Sequence, residues 1–367
     1  MRGRRDAEEL LALFGREGFA PVEPPVLQPA DAFVELSGED IRRRLFVTED
    51  ADGAEWCLRP DYTIPVGRHH LASGAVGPAS YGYCGPVFRL RHGETGEFVQ
   101  AGLESIGRPD RTAADAEVIG LALDGLAALG VSAPVVRVGD VGLLAACLDA
   151  LRLSPPDRRR VTRAVASGQG LDGIADAEPA GLSEHAGLLA AIEGQDPQAA
   201  RLFVEDVLAI AGIAPVGGRA PAEIAEHFLA RAGRRSGGIG TEARAVLRRF
   251  LSVRGDPDEA VAALRVLADD ARLDLTAALD ALEERNGFMA ARGLDIAVFR
   301  FAADFARNLD YYTGFIFEAA PAGGGQPLVG GGRYDRLLRH LGAPAPIPAV
   351  GCAFWLDRIR ALGGTTP

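Results

Sequence analysis

The sequence is poor in residues that form disulfides or bind metals. It has only four cysteines and six histidines, and the histidines are scattered along the chain. No C-x-x-C pair occurs, because the cysteines lie far apart, at Cys57, Cys84, Cys147 and Cys352. A disulfide framework or zinc site is therefore not expected, and reduced cysteines packed in the core are. We predict no metal site and no cofactor.

Long apolar runs are also missing. No segment approaches the ~18 consecutive apolar residues that a membrane span needs. The first residues are basic, but Asp6, Glu8 and Glu9 follow where a secretory signal needs an apolar stretch. We therefore expect a cytoplasmic protein without a membrane partner.

Basic residues are fewer than acidic ones. The net charge is −11, from 50 acidic and 39 basic residues. Non-specific nucleic-acid binding depends on neutralising phosphates, so this balance weakly disfavours a role in RNA binding.

The hydrophobic pattern changes twice along the 367 residues. The first part has helical periodicity at Ala7–Arg16 and Ala114–Gly130, with short strand patterns between and after these helices. Those strands are Leu45–Thr48, Trp56–Leu58, Tyr81–Leu90, Phe98–Ile106 and Val135–Val138, and the third and fourth form an antiparallel hairpin.

Residues 141–292 read as almost wholly helical. Strand and helix patterns then resume at Asp295–Phe301, Gly314–Ala319, Tyr334–Leu341 (a helix), Ala349–Phe354 and a closing helix to Leu362. We predict an α+β fold, in which an antiparallel sheet flanked by helices is formed by residues 1–140 and 293–367. A mostly helical insertion, 141–292, separates the two halves.

Several of the predicted strands carry more polar residues than strands require. The segment Arg59–Thr63 places a cation, a carboxylate and a hydroxyl at the end of a strand, and Arg89 lies on another strand. Gln100 and Glu104, four residues apart, share one face of the next strand. Such a face is either solvated or lines a ligand site, and both interpretations stay open at this point.

Two further segments could bind a small polar ligand. Arg307 to Gly314 places Tyr311 and Tyr312 beside charged residues at the start of a strand, where they supply ring faces and hydroxyls or form an aromatic cluster in the core. Gly330–Gly331–Gly332 is predicted to open a helix, whose free N–H groups can receive an anion.

In order and combination, these segments resemble the histidyl-tRNA synthetase branch of the class II aminoacyl-tRNA synthetases. Residues 85–89 through 97–104 look like class II motif 2, and 309–314 with Phe317–Glu318 look like the histidine-specific signature. Residues 331–335 and 348–358 look like the last segments of the family, ending in motif 3. The resemblance covers about residues 5–140 and 293–362 and implies a class II synthetase-like sheet.

The resemblance also implies roles for individual side chains. Asp61, Thr63 and Gln100 would hold the α-amino group of histidine, and Arg307 would lie beside its carboxylate. Glu104 and Tyr312 would face the imidazole, with Tyr311 lining the pocket. Arg89 and Arg358 correspond to the two class II arginines that contact ATP phosphates.

The chain departs from the synthetases in ways that bear on activity. Glu94, Thr95 and Gly96 replace basic residues that meet ATP, Asp61 replaces a longer Glu, and Asn308 replaces a Gly. The sequence ends nine residues after Arg358, where the synthetases continue into an anticodon-binding domain. We therefore expect no tRNA charging.

A family that keeps this core without that domain is the regulatory subunits of ATP phosphoribosyltransferase, in histidine biosynthesis. Membership implies a non-catalytic allosteric subunit that binds histidine, is required by a short-form ATP phosphoribosyltransferase catalytic subunit, and forms a homodimer within a larger hetero-oligomer. The alternative is a minimal histidine-activating synthetase-like enzyme, which retention of Arg89 and Arg358 supports. The dimer contact would lie around Pro21 to Val34, including Phe19, Val22, Val26, Leu27 and Phe33.

Overall fold

A computed structural model describes residues 2–34, 43–75, 77–90, 95–174, 238–307 and 311–363. The predictions that concern Glu94, Asn308 and the helical content of residues 175–237 lie outside these residues. Everything below refers to the described part of the chain.

The described residues form twelve strands in two sheets. The strands are β1 Ala20–Pro21, β2 Leu27–Pro29, β3 Val47–Glu49, β4 Glu55–Leu58, β5 Ala79–Phe88, β6 Glu97–Ile106, β7 Val135–Asp140, β8 Arg254–Gly255, β9 Arg300–Ala302, β10 Phe315–Ala320, β11 Val329–Arg333 and β12 Ala349–Trp355. Three of them form a small antiparallel sheet, β2-β4-β3. The other nine form the central sheet, in the order β1-β5-β6-β12-β11-β10-β7-β9-β8. Its neighbouring strands are antiparallel, except that the short pairs β1–β5 and β7–β9 are parallel.

Helices flank this sheet, which confirms the predicted α+β class. Ser154 and Asp256 begin two of them by accepting backbone N–H groups with their side chains, each followed by a proline in the first turn. The helices are α1 Arg2–Arg16, α2 Thr63–Ala72, α3 Arg111–Ala128, α4 Val141–Ala150, α5 Pro155–Ala166, α6 Thr241–Leu251, α7 Pro257–Ala271, α8 Thr276–Ala291, α9 Leu337–His340 and α10 Leu356–Gly363.

The predicted hairpin is formed by β5 and β6. These strands pair antiparallel along their whole length, from Ala79 opposite Ile106 to Phe88 opposite Glu97. Its tip, 91–94, lies outside the described residues. The side chains of alternate β6 residues share one face, so Gln100 and Glu104 point the same way.

Two predicted elements differ in the structure. Asp295–Phe301 is not one strand, because a 3₁₀ turn at Ile296–Val298 precedes the short strand β9. The glycine-rich segment is not the start of a helix: Gly330–Gly332 lies in the buried strand β11, and α9 begins only at Leu337.

Close packing explains why β11 is so rich in glycine. A Cβ at Gly330 would overlap the Arg307 guanidinium, and a Cβ at Gly331 would overlap the Gly351 carbonyl oxygen. Glycine therefore lets neighbouring side chains and backbone approach this strand, which is a common use of glycine inside a sheet. The consequence is that the segment carries no helix-terminal anion site.

The largest hydrophobic cluster lies between the sheet and the helices α1, α3, α4 and α8. Helix α8 packs along α3, and Leu264, Leu279 and Met289 belong to the same cluster as Ile119. Of the helices between 241 and 291, α7 contacts strands β8 and β9 at one edge of the sheet, α6 packs on α7, and α8 packs on α3 and α4. The division at 141 and 292 remains a prediction.

Candidate functional site

A cavity of about 310 Å³ lies over one face of the central sheet. Six of the seven side chains predicted to bind an amino acid line it, together with Arg89. The lining consists of Arg44, Asp61, Thr63, Arg89, Gln100, Ala306, Arg307, Tyr311, Tyr312, Glu318, Gly330, Tyr334, Gly351, Cys352, Ala353 and Trp355.

Strand β6 supplies the first of these groups. Gln100 lies opposite Trp355 of β12 and Gly85 of β5, and it is only 2% exposed. Its Oε1 is buried and accepts no hydrogen bond from the described residues. A buried acceptor without a donor is costly, so this atom is suited to a donor brought by a ligand.

Glu104 lies four residues further along β6 and does not itself line the cavity. Its carboxyl group is enclosed by three hydroxyls: Thr63 Oγ1 and Tyr83 OH donate to Oε1 over 2.9 and 3.2 Å, and Tyr334 OH donates to Oε2. Thr63 and Tyr334 in turn line the cavity. Glu104 therefore orients hydroxyls at the cavity wall. Opposite it, Gly351 leaves the space that the carboxyl group occupies.

Burial controls the protonation of this group. It raises the pKa of Glu104 to about 8, although the hydroxyls of Tyr334, Thr63 and Tyr83 act in the opposite direction. Burial likewise raises the pKa of Tyr83 and Tyr334 well above 10, so both remain neutral hydroxyls. Near neutral pH the cluster therefore carries little net charge.

Asp61 and Arg89 form one of the charged parts of the cavity wall. Asp61 lies between β4 and α2, where its Oδ1 accepts a long hydrogen bond of 3.4 Å from the Ile64 N–H. Burial raises the pKa of Asp61, and the positive charge of Arg89 opposes this. Arg89 Nε donates to the Pro60 carbonyl over 2.6 Å, which fixes the guanidinium beside this loop.

The paired tyrosines are both packed together and part of the cavity wall. The rings of Tyr311 and Tyr312 lie 4.9 Å apart, and Tyr311 meets Tyr334 edge-on at 5.7 Å. The two alternatives considered for this segment thus coexist: a buried aromatic cluster turns part of its surface to the cavity.

Arg307 lies between β9 and β10, and its guanidinium lies against Gly330 of β11. Its Nη1 donates to the Phe317 carbonyl over 3.1 Å and lies 3.9 Å from Glu318 Oε2. The absence of a side chain at Gly330 leaves room for this guanidinium. Its Nε is buried and has no hydrogen-bond partner among the described residues. The guanidinium thus retains capacity to donate to an anionic group.

Arg358 lies outside the cavity lining. Its guanidinium lies over the Trp355 ring, 4.6 Å from the centroid, and Nη1 donates to the Pro327 carbonyl over 2.7 Å. Trp355, the last residue of β12, does line the cavity. The role predicted for Arg358 in contacting phosphates stays a prediction.

The sequence-based prediction missed four charged or aromatic lining side chains, those of Tyr334, Trp355, Glu318 and Arg44. It also missed Tyr83, which does not line the cavity but donates to Glu104 behind its wall. Tyr334 and Glu318 fall within motifs that the sequence analysis had quoted, but no role was assigned to them. Tyr83 could have been found from the hairpin register, which places it opposite Gly102, where a Cβ would overlap its ring. For Arg44 we find no signal in the sequence.

The arrangement suits a small zwitterion with a hydrogen-bonding ring. Carboxyl groups of Asp61 and Glu318 and guanidinium groups of Arg89 and Arg307 line the same space. A ligand with one cation and one anion can thus pair with both signs. The cavity volume is in the range of small-molecule sites, about 300–1,000 Å³.

Metal-binding clusters and membrane-spanning helices are both absent from the described ranges. No group of three or more His, Cys, Asp or Glu residues there could hold a metal ion. No helix in the same ranges is both long and apolar enough to cross a membrane.

The chain is similar in sequence to proteins of one known family. Residues 2–201 and 225–359 match the histidyl-tRNA synthetase family. The proteins named ATP phosphoribosyltransferase regulatory subunit in Brucella canis and Brucella suis are each 41% identical to this chain over 352 residues, which is 94% of this chain and 93% of theirs.

Solved structures agree on the fold. A Bacillus halodurans protein described as an ATP phosphoribosyltransferase regulatory subunit/histidyl-tRNA synthetase superposes with a TM-score of 0.70 at 22% identity, covering 98% of this chain and 79% of that one. Histidyl-tRNA synthetase from Nostoc sp. PCC 7120 gives a TM-score of 0.63 at 17% identity, covering 98% and 70%.

Proposed function

The chain belongs to the family of ATP phosphoribosyltransferase regulatory subunits, which share the histidyl-tRNA synthetase fold, and from this premise we propose that it is the histidine-sensing subunit of that enzyme. It assembles in the cytoplasm with a short-form catalytic subunit, which depends on it for activity. Histidine bound in the cavity then inhibits the assembly.

The observation that carries the proposal is the convergence of the predicted amino-acid-binding side chains on one mixed-charge cavity. In this assignment, Asp61, Thr63 and Gln100 hold the α-amino group of histidine. The unsatisfied Gln100 Oε1 is an acceptor that an ammonium group would fill. Arg307 pairs with the carboxylate, because a guanidinium presents several donors to two oxygens.

A second group of side chains recognises the imidazole ring. Tyr312 faces the ring and Tyr311 lines its surroundings, while Glu104 acts through the Tyr334 hydroxyl that donates to it. A neutral imidazole offers one donor and one acceptor, and hydroxyls can serve both. This gives a reason for histidine rather than an apolar amino acid.

A homodimer is part of the proposal. Val26 and Leu27 are 38% and 43% exposed, and Val47 on the same small sheet is 49% exposed. Phe19 and Phe33, by contrast, are buried within the chain and are not available to a partner. The contact therefore centres on the small sheet rather than on the whole of residues 21–34.

Feedback sensing requires that histidine bind the states of the assembly unequally. A coupling of about 1–3 kcal/mol between the cavity and the catalytic subunit would give about 5–150-fold control. Because the coupling is reciprocal, the catalytic subunit should also change the histidine affinity of this chain.

The test is reconstitution with the short catalytic subunit. We expect the two proteins to co-purify, phosphoribosyltransferase activity to require both, and histidine to inhibit the mixture. Gln100→Leu should abolish inhibition without preventing assembly, because it removes the buried acceptor at nearly constant volume. Gln169→Leu, the same change at an exposed position after α5, is the matched control and should leave inhibition unaltered.

Two results would contradict this proposal. One is a catalytic subunit that is equally active and equally inhibited without this chain. The other is histidine-dependent pyrophosphate exchange at synthetase-like rates, which would favour the alternative of a histidine-activating enzyme that Arg89 in the cavity lining supports.

A further inference from the structure

A buried ion cluster joins helix α8 to strand β11, whose last residue, Arg333, directly precedes Tyr334. At its centre is Asp115 of α3, whose side chain is 0% exposed. Arg285 of α8 donates from Nε to Oδ2 over 2.9 Å. Arg333 of β11 donates from Nε to Oδ1 over 2.9 Å, and its Nη2 lies 2.7 Å from the same oxygen. Each carboxylate oxygen is thus bound by a different arginine.

The cluster continues outward on both sides. Arg285 Nη1 lies 3.0 Å from Asp140 Oδ2 at the start of α4, an ion pair without hydrogen-bond alignment. Arg333 Nη1 donates to Asp335 Oδ1 over 2.8 Å. With its two arginines at most 6% exposed, the cluster holds charges that water does not solvate. Removing Arg285 leaves Asp115 Oδ2 without its cation while Arg333 still binds Oδ1, and a buried charge that loses part of its pairing destabilises the fold.

The Arg333 end of the cluster leads directly into the cavity wall. Tyr334, the next residue, donates its hydroxyl to Glu104. The Asp335 N–H donates to Thr313 Oγ1 over 3.0 Å, and the Thr313 N–H donates to the Arg333 carbonyl over 2.8 Å. The segments bearing Tyr312 and Tyr334 are therefore fixed to each other and to the cluster.

We propose that Arg285 is a positioning residue for the histidine site, acting from α8 through Asp115 and Arg333 on Tyr334. The inference rests on the proposed function and adds a physical path to it. Any movement of α8 that shifts Arg285 changes the placement of Tyr334 and hence the affinity for histidine. By reciprocity, histidine biases the position of α8.

The test compares Arg285→Met with Arg265→Met in the full chain. Arg265 lies on the neighbouring α7 and bonds Asp280 and Glu283 of α8 at an exposed position, so it is a matched control for a lost helix–helix ion pair. Calorimetry should show histidine affinity weakened about tenfold by Arg285→Met and less than about twofold by Arg265→Met. If Arg285→Met does not fold, Arg285→Lys keeps the charge but not the planar fork, and we expect about threefold weakening.

A double-mutant cycle separates positioning from general destabilisation. If Arg285 acts through Tyr334, the affinity loss caused by the Arg285 variant should shrink to less than about twofold in a Tyr334→Phe background. Losses that simply multiply, or an unchanged affinity in the single variant, would overturn the inference.

Hydrogen exchange measured without histidine tests the positioning role of Arg285 separately from the proposed function. The amides of Thr313, Tyr334 and Asp335 should exchange at least about tenfold faster in the Arg285 variant than in the parent chain. Their exchange rates should stay unchanged in Arg265→Met. If the parent chain binds no histidine, the proposed function fails. Unchanged exchange at these amides would refute the positioning role by itself.

Discussion

Replacing Glu104 by glutamine should make the stability of the protein less dependent on pH. Burial raises the pKa of Glu104 from an ordinary 4.5 to about 8. Between these values the folded state binds a proton that the unfolded state has released. Raising the pH through this window therefore favours unfolding, and the stability present at pH 5 is lost progressively up to about pH 8.

The size of this stability loss follows from the difference between the unfolded and folded pKa values of Glu104. One pH unit corresponds to about 1.4 kcal/mol, so ionising the buried carboxyl costs the folded state on the order of 3–5 kcal/mol by pH 9. The glutamine side chain of the variant would remain neutral throughout. Its amide oxygen can still accept hydrogen bonds from Thr63 and Tyr83, while its N–H₂ group donates to the Tyr334 hydroxyl, which can act as an acceptor.

Urea unfolding of both proteins at pH 5 to 9, without histidine, measures the difference. We expect Glu104→Gln to match the parent chain near pH 5 and to exceed its free energy of unfolding by a few kcal/mol at pH 9. Other titrating groups are common to both proteins, so their contributions cancel in the difference. A difference that stays constant over this range would refute the reasoning.

Three further outcomes are expected. Gly330→Ala should weaken histidine binding at least about tenfold in calorimetry, because the added methyl group displaces Arg307; Gly323→Ala, at a position with open space, should not. At a hundredfold excess over Kd, histidine should raise the free energy of unfolding by about 2.7 kcal/mol; no change in the urea midpoint would count against a working pocket. Pyrophosphate exchange with histidine should stay at background, and the rate of a full-length histidyl-tRNA synthetase is the reference.

Local patterns in the sequence were sufficient for much of the fold. The period of two in residues 81–106 and the polar residues between its halves predicted the β5–β6 hairpin, since strand alternation and turn formation depend on nearby residues. The same alternation placed Gln100 and Glu104 on one face. The motif resemblance then grouped residues separated by more than 200 positions, such as Asp61 and Arg307.

Predictions from the sequence were wrong where contacts between distant residues outweigh the local conformational preference. Gly330–Gly332 has no intrinsic preference for a strand, and its place in β11 depends on the approach of Arg307 and of the β12 backbone. Likewise, Asp295–Phe301 is apolar enough for a strand, but only Arg300–Ala302 finds partners in β7 and β8.

By itself, the sequence determined which chemical groups are available and which strand faces carry them, because side-chain periodicity is a local property of the backbone. Only the tertiary structure decided how those groups are used. It placed Glu104 behind the hydroxyls of Thr63 and Tyr334 rather than in the cavity wall. It also paired Arg285 with Asp115 across 170 residues. Burial and electrostatic pairing depend on which elements pack together, and long-range packing sets both.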